Sequence, residues 1–286
     1  MHYVALYVLF LILFTQTLRF GQKREVNTLS ATAINYVVCA IICVGYFSFL
    51  GFPDLRTVGW KIWTAGLGNG LVYFSSLVSI LMAYRFVGVG ITSASMGISL
   101  VIPIVFSWAL WGEAMPASRW LAVVLTPFAI VFMRPIQVTR FKLSTKGNFA
   151  LLACFLCAGG MRTIHKYVNV IAGSEPEQLR VYQGMLWVGA AAGSACYVAL
   201  RRLRYRKPEI LLGSVLGFFN VFTLFFTLLA LSVVPAVVFF PTSLCSLIIL
   251  NLFISWMLWK EKLIMRQLFG IALAMAVVIL VNLNSG

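Results

Sequence analysis

Acidic residues are scarce in this chain. Seven of its 286 positions are Asp or Glu, and charged residues of both signs reach only 10%. A water-soluble globule carries about 25% charged residues, so that class is excluded and the outer surface must face something other than water. Histidine is scarcer still: His2 and His165 are the only two, neither with a carboxylate close in sequence. A catalytic His–carboxylate constellation is therefore not expected, which disfavours a membrane enzyme of lipid or isoprenoid metabolism. No Cys/His set has metal-ligand spacing, and neither a metal nor another cofactor is expected. The six cysteines (Cys39, Cys43, Cys154, Cys157, Cys196 and Cys245) all fall in apolar stretches, where packing is their ordinary role. No carboxylate sits well inside an apolar stretch, since Asp54, Glu175, Glu177 and Glu209 lie in connections or at stretch ends. Exchange of lipophilic cations for protons calls for a buried carboxylate at which the two compete, so that function is disfavoured as well.

What the chain does have is apolar length. Hydrophobic residues make up 62% and the mean hydropathy is +0.98. A bilayer core takes about 20 apolar residues per spanning helix, and ten such spans can be read: 2–19, 29–51, 59–82, 88–111, 117–134, 147–166, 179–200, 209–231, 235–259 and 265–283. They are apolar on every face rather than alternating, which favours helices over a barrel. The first span starts almost at Met1 without a basic leader or a small-x-small cleavage site, so it reads as a structural helix rather than a signal peptide. The expected class is an all-α polytopic membrane protein.

The formal charge of +15 does not imply nucleic acid, because the basic residues fall between the spans or toward their ends. With each Lys/Arg assigned to its nearer connection, odd-numbered connections take 16 and even-numbered ones 6, with Arg201, Arg202, Arg204, Arg206 and Lys207 crowding one of them. The positive-inside rule then places the odd connections in the cytoplasm and both termini outside.

The most specific signal is an internal repeat. Ser107-Trp108-Ala109-Leu110-Trp111-Gly112-Glu113 recurs as Ser255-Trp256-Met257-Leu258-Trp259-Lys260-Glu261, with both tryptophans in register. Near the same offset, Gly66-x-x-x-Gly70 matches Gly213-x-x-x-Gly217, and Gln16-Thr17-Leu18-Arg19 matches Arg162-Thr163-Ile164-His165. The chain therefore divides into five-span halves, 1–140 and 141–286. An odd number of spans per half inverts one half relative to the other, the inverted-repeat design of secondary transporters.

The run from Pro103 to Glu113, followed by another span and recurring weakly from Pro241 to Glu261, resembles the EamA-type drug/metabolite transporter superfamily. Asn251 stands where Pro103 aligns, and the charge bias suggests external termini where many relatives keep theirs inside. The resemblance implies ten transmembrane helices as two inverted repeats, with a central cavity lined mainly by spans 1, 3, 4, 6, 8 and 9. It implies metabolite or amino-acid export from bacteria, or nucleotide-sugar or phosphate exchange in organelles; the short connections favour the bacterial plasma membrane. A small-molecule solute and the bilayer are the expected partners, and both a monomer and a homodimer fit.

Polar groups within spans are the candidate site, because each costs about 2.5–3.5 kcal/mol on insertion scales. Arg162, His165 and Lys166 share one face of span 6. If that helix begins near Lys146, Arg162 lies about 24 Å along it, in the far part of the bilayer. Lys166 then reads as snorkelling to the interface. Gln16 is the repeat partner of Arg162. Asn69, Tyr73 and Ser76 form a stripe on span 3; Ser95 lies on span 4, and Asn220 and Thr223 on span 8. Pro103 and Pro241 interrupt spans 4 and 9 as hinge candidates. Glu113 and Glu261 end those spans and read as solvated interfacial carboxylates, with a conformational lock to a basic loop residue as the functional alternative. The basic and neutral polar groups favour an anionic or zwitterionic solute such as an amino acid or organic acid.

Overall fold

The structure, a computed structural model, describes residues 1–51, 58–133, 144–173, 175–201, 205–260 and 264–283. These residues form eleven α-helices: α1 (His2–Lys23), α2 (Thr28–Leu50), α3 (Trp60–Phe86), α4 (Val89–Ile98), α5 (Val101–Trp111), α6 (Ala117–Met133), α7 (Thr145–Ala172), α8 (Pro176–Leu200), α9 (Lys207–Val233), α10 (Ala236–Trp259) and α11 (Met265–Asn282). Among the described residues, nine segments are long and apolar enough to cross a membrane, counting Ile91–Trp111 as one. The remaining apolar helix, α6, has 17 residues, the lower edge of the length that spans a bilayer. The protein is an all-helical, multi-pass membrane protein.

Local chemistry sets the helix ends. Asn27 caps α2, its side chain accepting from the amides of Leu29 (3.1 Å) and Ser30 (3.2 Å). The repeated Trp-rich motif builds the same exit twice. Gly112 after α5 (φ 65°) and Lys260 after α10 (φ 52°) both adopt the left-handed conformation, and each cap N–H donates to the carbonyl of the motif serine, Ser107 or Ser255. Both serines are buried while Trp108 and Trp256 are exposed.

The expected fourth helix is not continuous. It divides into α4 and α5 at Ser99–Leu100, near the middle of the 21-residue segment Ile91–Trp111. Pro103 lies in the first turn of α5. It has no N–H to give Ser99 four residues back, and the Ser99 carbonyl is taken instead by the Ile102 amide at 3.1 Å. Pro241, by contrast, lies inside an unbroken α10.

The chain forms two compact units, Met1–Phe74 with Tyr167–Ser232, and Ser75–Lys166 with Val233–Gly286. Each therefore draws on both halves of the sequence. In the first, α2 packs on α8 and α1 on α2. The repeated glycines allow close backbone approach: Gly66 and Gly70 of α3 lie against α8, and Gly213 and Gly217 of α9 against α2. A Cβ on Gly70 would stand 2.2 Å from the Leu186 carbonyl oxygen and 2.7 Å from the Ala190 nitrogen, whereas one on Gly68 would meet nothing within 4 Å. Gly70→Ala is expected to destabilise the protein by about 1–3 kcal/mol, read as a lower melting temperature in detergent, with Gly68→Ala as the silent control. Equal melting of the two variants would contradict this packing.

In the second unit α6 packs most extensively on α11, and α10 packs on α5, α6 and α11. Two arginines tie α6 to α11 reciprocally. Arg119, near the start of α6, donates Nε to the Val281 carbonyl at 3.3 Å and Nη1 to Ala114 at 2.8 Å. Arg266, near the start of α11, donates to the Val131 carbonyl near the end of α6. Each guanidinium thus serves the C-terminal carbonyls of the other helix, where cations are favoured.

Candidate functional site

The broken span holds the most unusual chemistry. Arg162 of α7 donates Nη1 to Ser99 Oγ at 2.9 Å and to the Ala158 carbonyl at 2.8 Å, while Ser99 Oγ–H donates to the Met96 carbonyl at 2.6 Å. The guanidinium is therefore bonded at the point where the α4/α5 backbone departs from helix. Nearby backbone makes room: Gly159 of α7 sits so close to Ile102 that a Cβ there would lie 2.3 Å from its side chain.

Two expectations change here. Helix α7 extends to Ala172 rather than ending at Lys166, so Arg162 lies about 5 Å beyond the helix midpoint and not near the membrane boundary. Lys166 does not simply snorkel. Its Nζ lies 2.7 Å from Glu113 Oε1, with the two side chains 12% and 10% exposed. With that charge paired, the apolar run Tyr167–Ala172 continues the helix past it.

Glu113 is likewise not a solvated end residue. Besides Lys166, its two carboxylate oxygens accept the amides of Ala236 and Val237, each at 2.9 Å. These are the first two residues of α10, whose cap position is Pro235 and supplies no side-chain acceptor. A carboxylate at a helix N-terminus satisfies orphan donors and complements the dipole. The basic partner of Glu113, Lys166, lies in a helix and not in a loop. Glu261, the repeat equivalent, lies outside the described residues.

The other candidates of this unit lie on three helices. His165 (3% exposed) is buried on α7, Ser76 (3%) is buried on α3, and Ser95 is half-buried on α4, its carbonyl accepting the Ser99 amide at 2.9 Å.

In the first unit the polar stripe meets α8. Asn69, fully buried, donates Nδ2 to Tyr182 Oη at 2.6 Å. Tyr73 packs edge-on against Trp187 with ring centroids 5.7 Å apart, and Trp187 stacks on Tyr36 at 6.0 Å. Asn220 of α9 donates Nδ2 to Asn35 Oδ1 at 3.2 Å, and Cys39 Sγ donates to the Gly217 carbonyl at 3.3 Å. Thr223 bonds back to the Phe219 carbonyl within its own helix, and Gln16 is half-buried on α1. Gln183 donates Nε2 to the Val221 carbonyl at 2.8 Å. The structure thus joins Asn69 to Tyr182, Tyr73 to Trp187 and Asn220 to Asn35, three interhelical contacts that are also what holds membrane helices together.

Three residues that matter were passed over or undervalued in the sequence. Asn35 is an amide in the middle of an apolar span and carried the same signal as Asn69. Tyr182 had no local feature to distinguish it. Ser99 was visible as a span serine, but its value comes from the break that Pro103 imposes four residues later. Among the described residues, no three or more His, Cys, Asp or Glu side chains gather as a metal site.

No family model matches the chain. A protein of Haemophilus influenzae (strain ATCC 51907 / DSM 11121 / KW20 / Rd), described as uncharacterized, is 23% identical over 235 residues, covering 79% of this chain and 78% of that protein. A crystal structure of another protein superposes with a TM-score of 0.80 at 16% identity, covering 99% of this chain and 96% of that one. The fold of this chain is therefore shared, over nearly its whole length, with a protein solved by crystallography.

Proposed function

We propose that this chain is a secondary transporter of the EamA type in the drug/metabolite transporter superfamily. It exports a small anionic or zwitterionic metabolite, an amino acid or organic acid, by alternating access. The single observation that carries the reading is the span broken near its middle at Ser99–Leu100 with the Arg162 guanidinium bonded there. Discontinuous helices with polar groups at the break are where transporters of inverted-repeat design bind solute and ion. A guanidinium at this depth is costly, and a site that must hold an anion supplies a reason to keep one.

Reciprocal packing supports the repeat. Gly66/Gly70 approach the second helix of the later half, and Gly213/Gly217 approach the second helix of the earlier half. Arg119 and Arg266 exchange carbonyl contacts in the same way. An inverted duplication produces pairs of this kind because equivalent residues face each other across its axis.

The test is uptake of labelled amino acids and organic acids by proteoliposomes of the purified protein, with no nucleotide added. Saturable flux of one class is the expected result. If none moves, and a lipid headgroup is instead chemically altered, the transporter reading falls. For orientation in the bacterial plasma membrane, the basic connection between α8 and α9 belongs in the cytoplasm. Tyr205→Cys, at an exposed position of that connection and in a chain stripped of native cysteines, should resist an impermeant maleimide on intact cells and react once they are opened. Labelling from outside would reverse the topology.

A further inference from the structure

One basic residue of α8 has no role in the chemistry above. Arg180 lies in the second turn of α8, about 6 Å from its start, and its Nε is buried without a hydrogen-bond partner. Glu177, one turn earlier on the same helix, does not pair with it; among the described residues the side-chain ion pair is Glu113–Lys166. Arg180 lines a cavity of about 150 Å³ within the first unit, bounded by α2, α8 and α9. The rest of the wall is almost wholly apolar, with Tyr46 and Phe47 from α2 and Phe222 and Phe225 from α9. Gln183, also on the wall, already gives its amide to the Val221 carbonyl.

We infer that this cavity is a binding site for an anionic phospholipid, with the phosphodiester on Arg180 and the start of an acyl chain among Phe47, Phe222 and Phe225. Charge sets the sign of the ligand. A guanidinium takes phosphate through paired N–H donors, and among the described residues no carboxylate lines the cavity to hold an ammonium, which disfavours a zwitterionic solute. Size argues for a lipid over a free metabolite. Pockets that enclose small solutes run to about 300–1,000 Å³, so this one takes only part of its ligand, and the remainder must continue outside. Tyr46 and Phe225 on its wall are exposed at 47% and 36%, leaving an apolar way out toward acyl chains. Depth agrees, because Arg180 near the start of α8 and Tyr46 near the end of α2 place the polar wall at headgroup level. Basic pockets between spanning helices are a known way of holding acidic lipids. The inference is independent of the transported solute.

The experiment is lipid retention by the purified protein in native mass spectrometry, with melting temperature as a second readout, on adding phosphatidylglycerol, phosphatidylcholine or glycerol 3-phosphate. Phosphatidylglycerol should be retained and should raise the melting temperature, and the other two should not. Arg180→Gln should weaken its retention by about tenfold or more, with Arg180→Lys intermediate. Equal retention of phosphatidylglycerol and phosphatidylcholine by the unaltered protein would overturn the proposal without any variant. So would undiminished retention by Arg180→Gln. Stabilisation by glycerol 3-phosphate equal to that by the lipid would also overturn it, in favour of a site for a soluble anion.

Discussion

Replacing Glu113 by alanine is expected to destabilise the protein by about 3–5 kcal/mol, the usual cost of leaving one charge of a buried pair without its partner. Glu113 does three things at once: it neutralises Lys166 at 2.7 Å and caps two amides of α10 at 2.9 Å each. Without it, Lys166 is left 12% exposed in a stretch too apolar to solvate an ammonium. The start of α10 would also lose the carboxylate that accepts two of its amides, a cap worth about 1 kcal/mol by itself. The melting temperature in detergent should fall on the order of 10 °C. Glu113→Gln keeps an acceptor and loses the charge, so it should fall between alanine and the parent. Lys166→Met should cost less than Glu113→Ala, because the carboxylate keeps both backbone donors. Melting of Glu113→Ala at the parent temperature would show that the pair contributes nothing.

Arg162→Ala is expected to reduce solute flux by about ten- to a hundredfold while leaving the protein folded. A hydrogen bond to a charged group contributes about 1.5–3 kcal/mol, and each 1.4 kcal/mol is tenfold in an equilibrium or rate. The variant removes a guanidinium bonded to Ser99 Oγ and the Ala158 carbonyl. Both of those groups have other uses: Ser99 Oγ already bonds Met96, and the Ala158 carbonyl lies in the α7 ladder. Loss of stability should therefore be small, and loss of function large. Arg162→Lys keeps the charge without the planar fork and should recover part of the flux. Ser99→Ala should have a weaker effect than Arg162→Ala. Undiminished flux in a folded Arg162→Ala protein would remove Arg162 from the site.

Much of the fold was legible along the chain. The apolar stretches correspond to the helices, and the Trp-rich repeat marks two helix ends of the same geometry. The glycine repeat marks close approaches, because only a residue without a Cβ admits a neighbouring backbone at that distance. Pro103 announced an interruption, although its consequence lies at Ser99–Leu100, where the missing N–H would have bonded. The length of α7 was misjudged because Lys166 looked like a boundary. Charge ends a span only when it must reach water, and here a carboxylate meets it instead.

The candidate site was legible only as a set of residue types. Asn69, Tyr73, Asn220 and Arg162 stand out because polarity in hydrocarbon is costly wherever it occurs, and that judgement needs no partner. Which partner each one finds is a different matter. Asn69 reaches Tyr182 across 113 positions, Asn220 reaches Asn35 across 185, and Arg162 reaches Ser99 across 63. Composition and periodicity determined that this is a bundle of membrane helices, because partition into lipid is decided residue by residue. Only the tertiary structure decided that Glu113 holds Lys166 and the start of α10, and that Arg180 lines an apolar cavity with its Nε unpaired. Hydrogen bonds and ion pairs act over a few ångströms, and only folding brings residues that distant in sequence within that range.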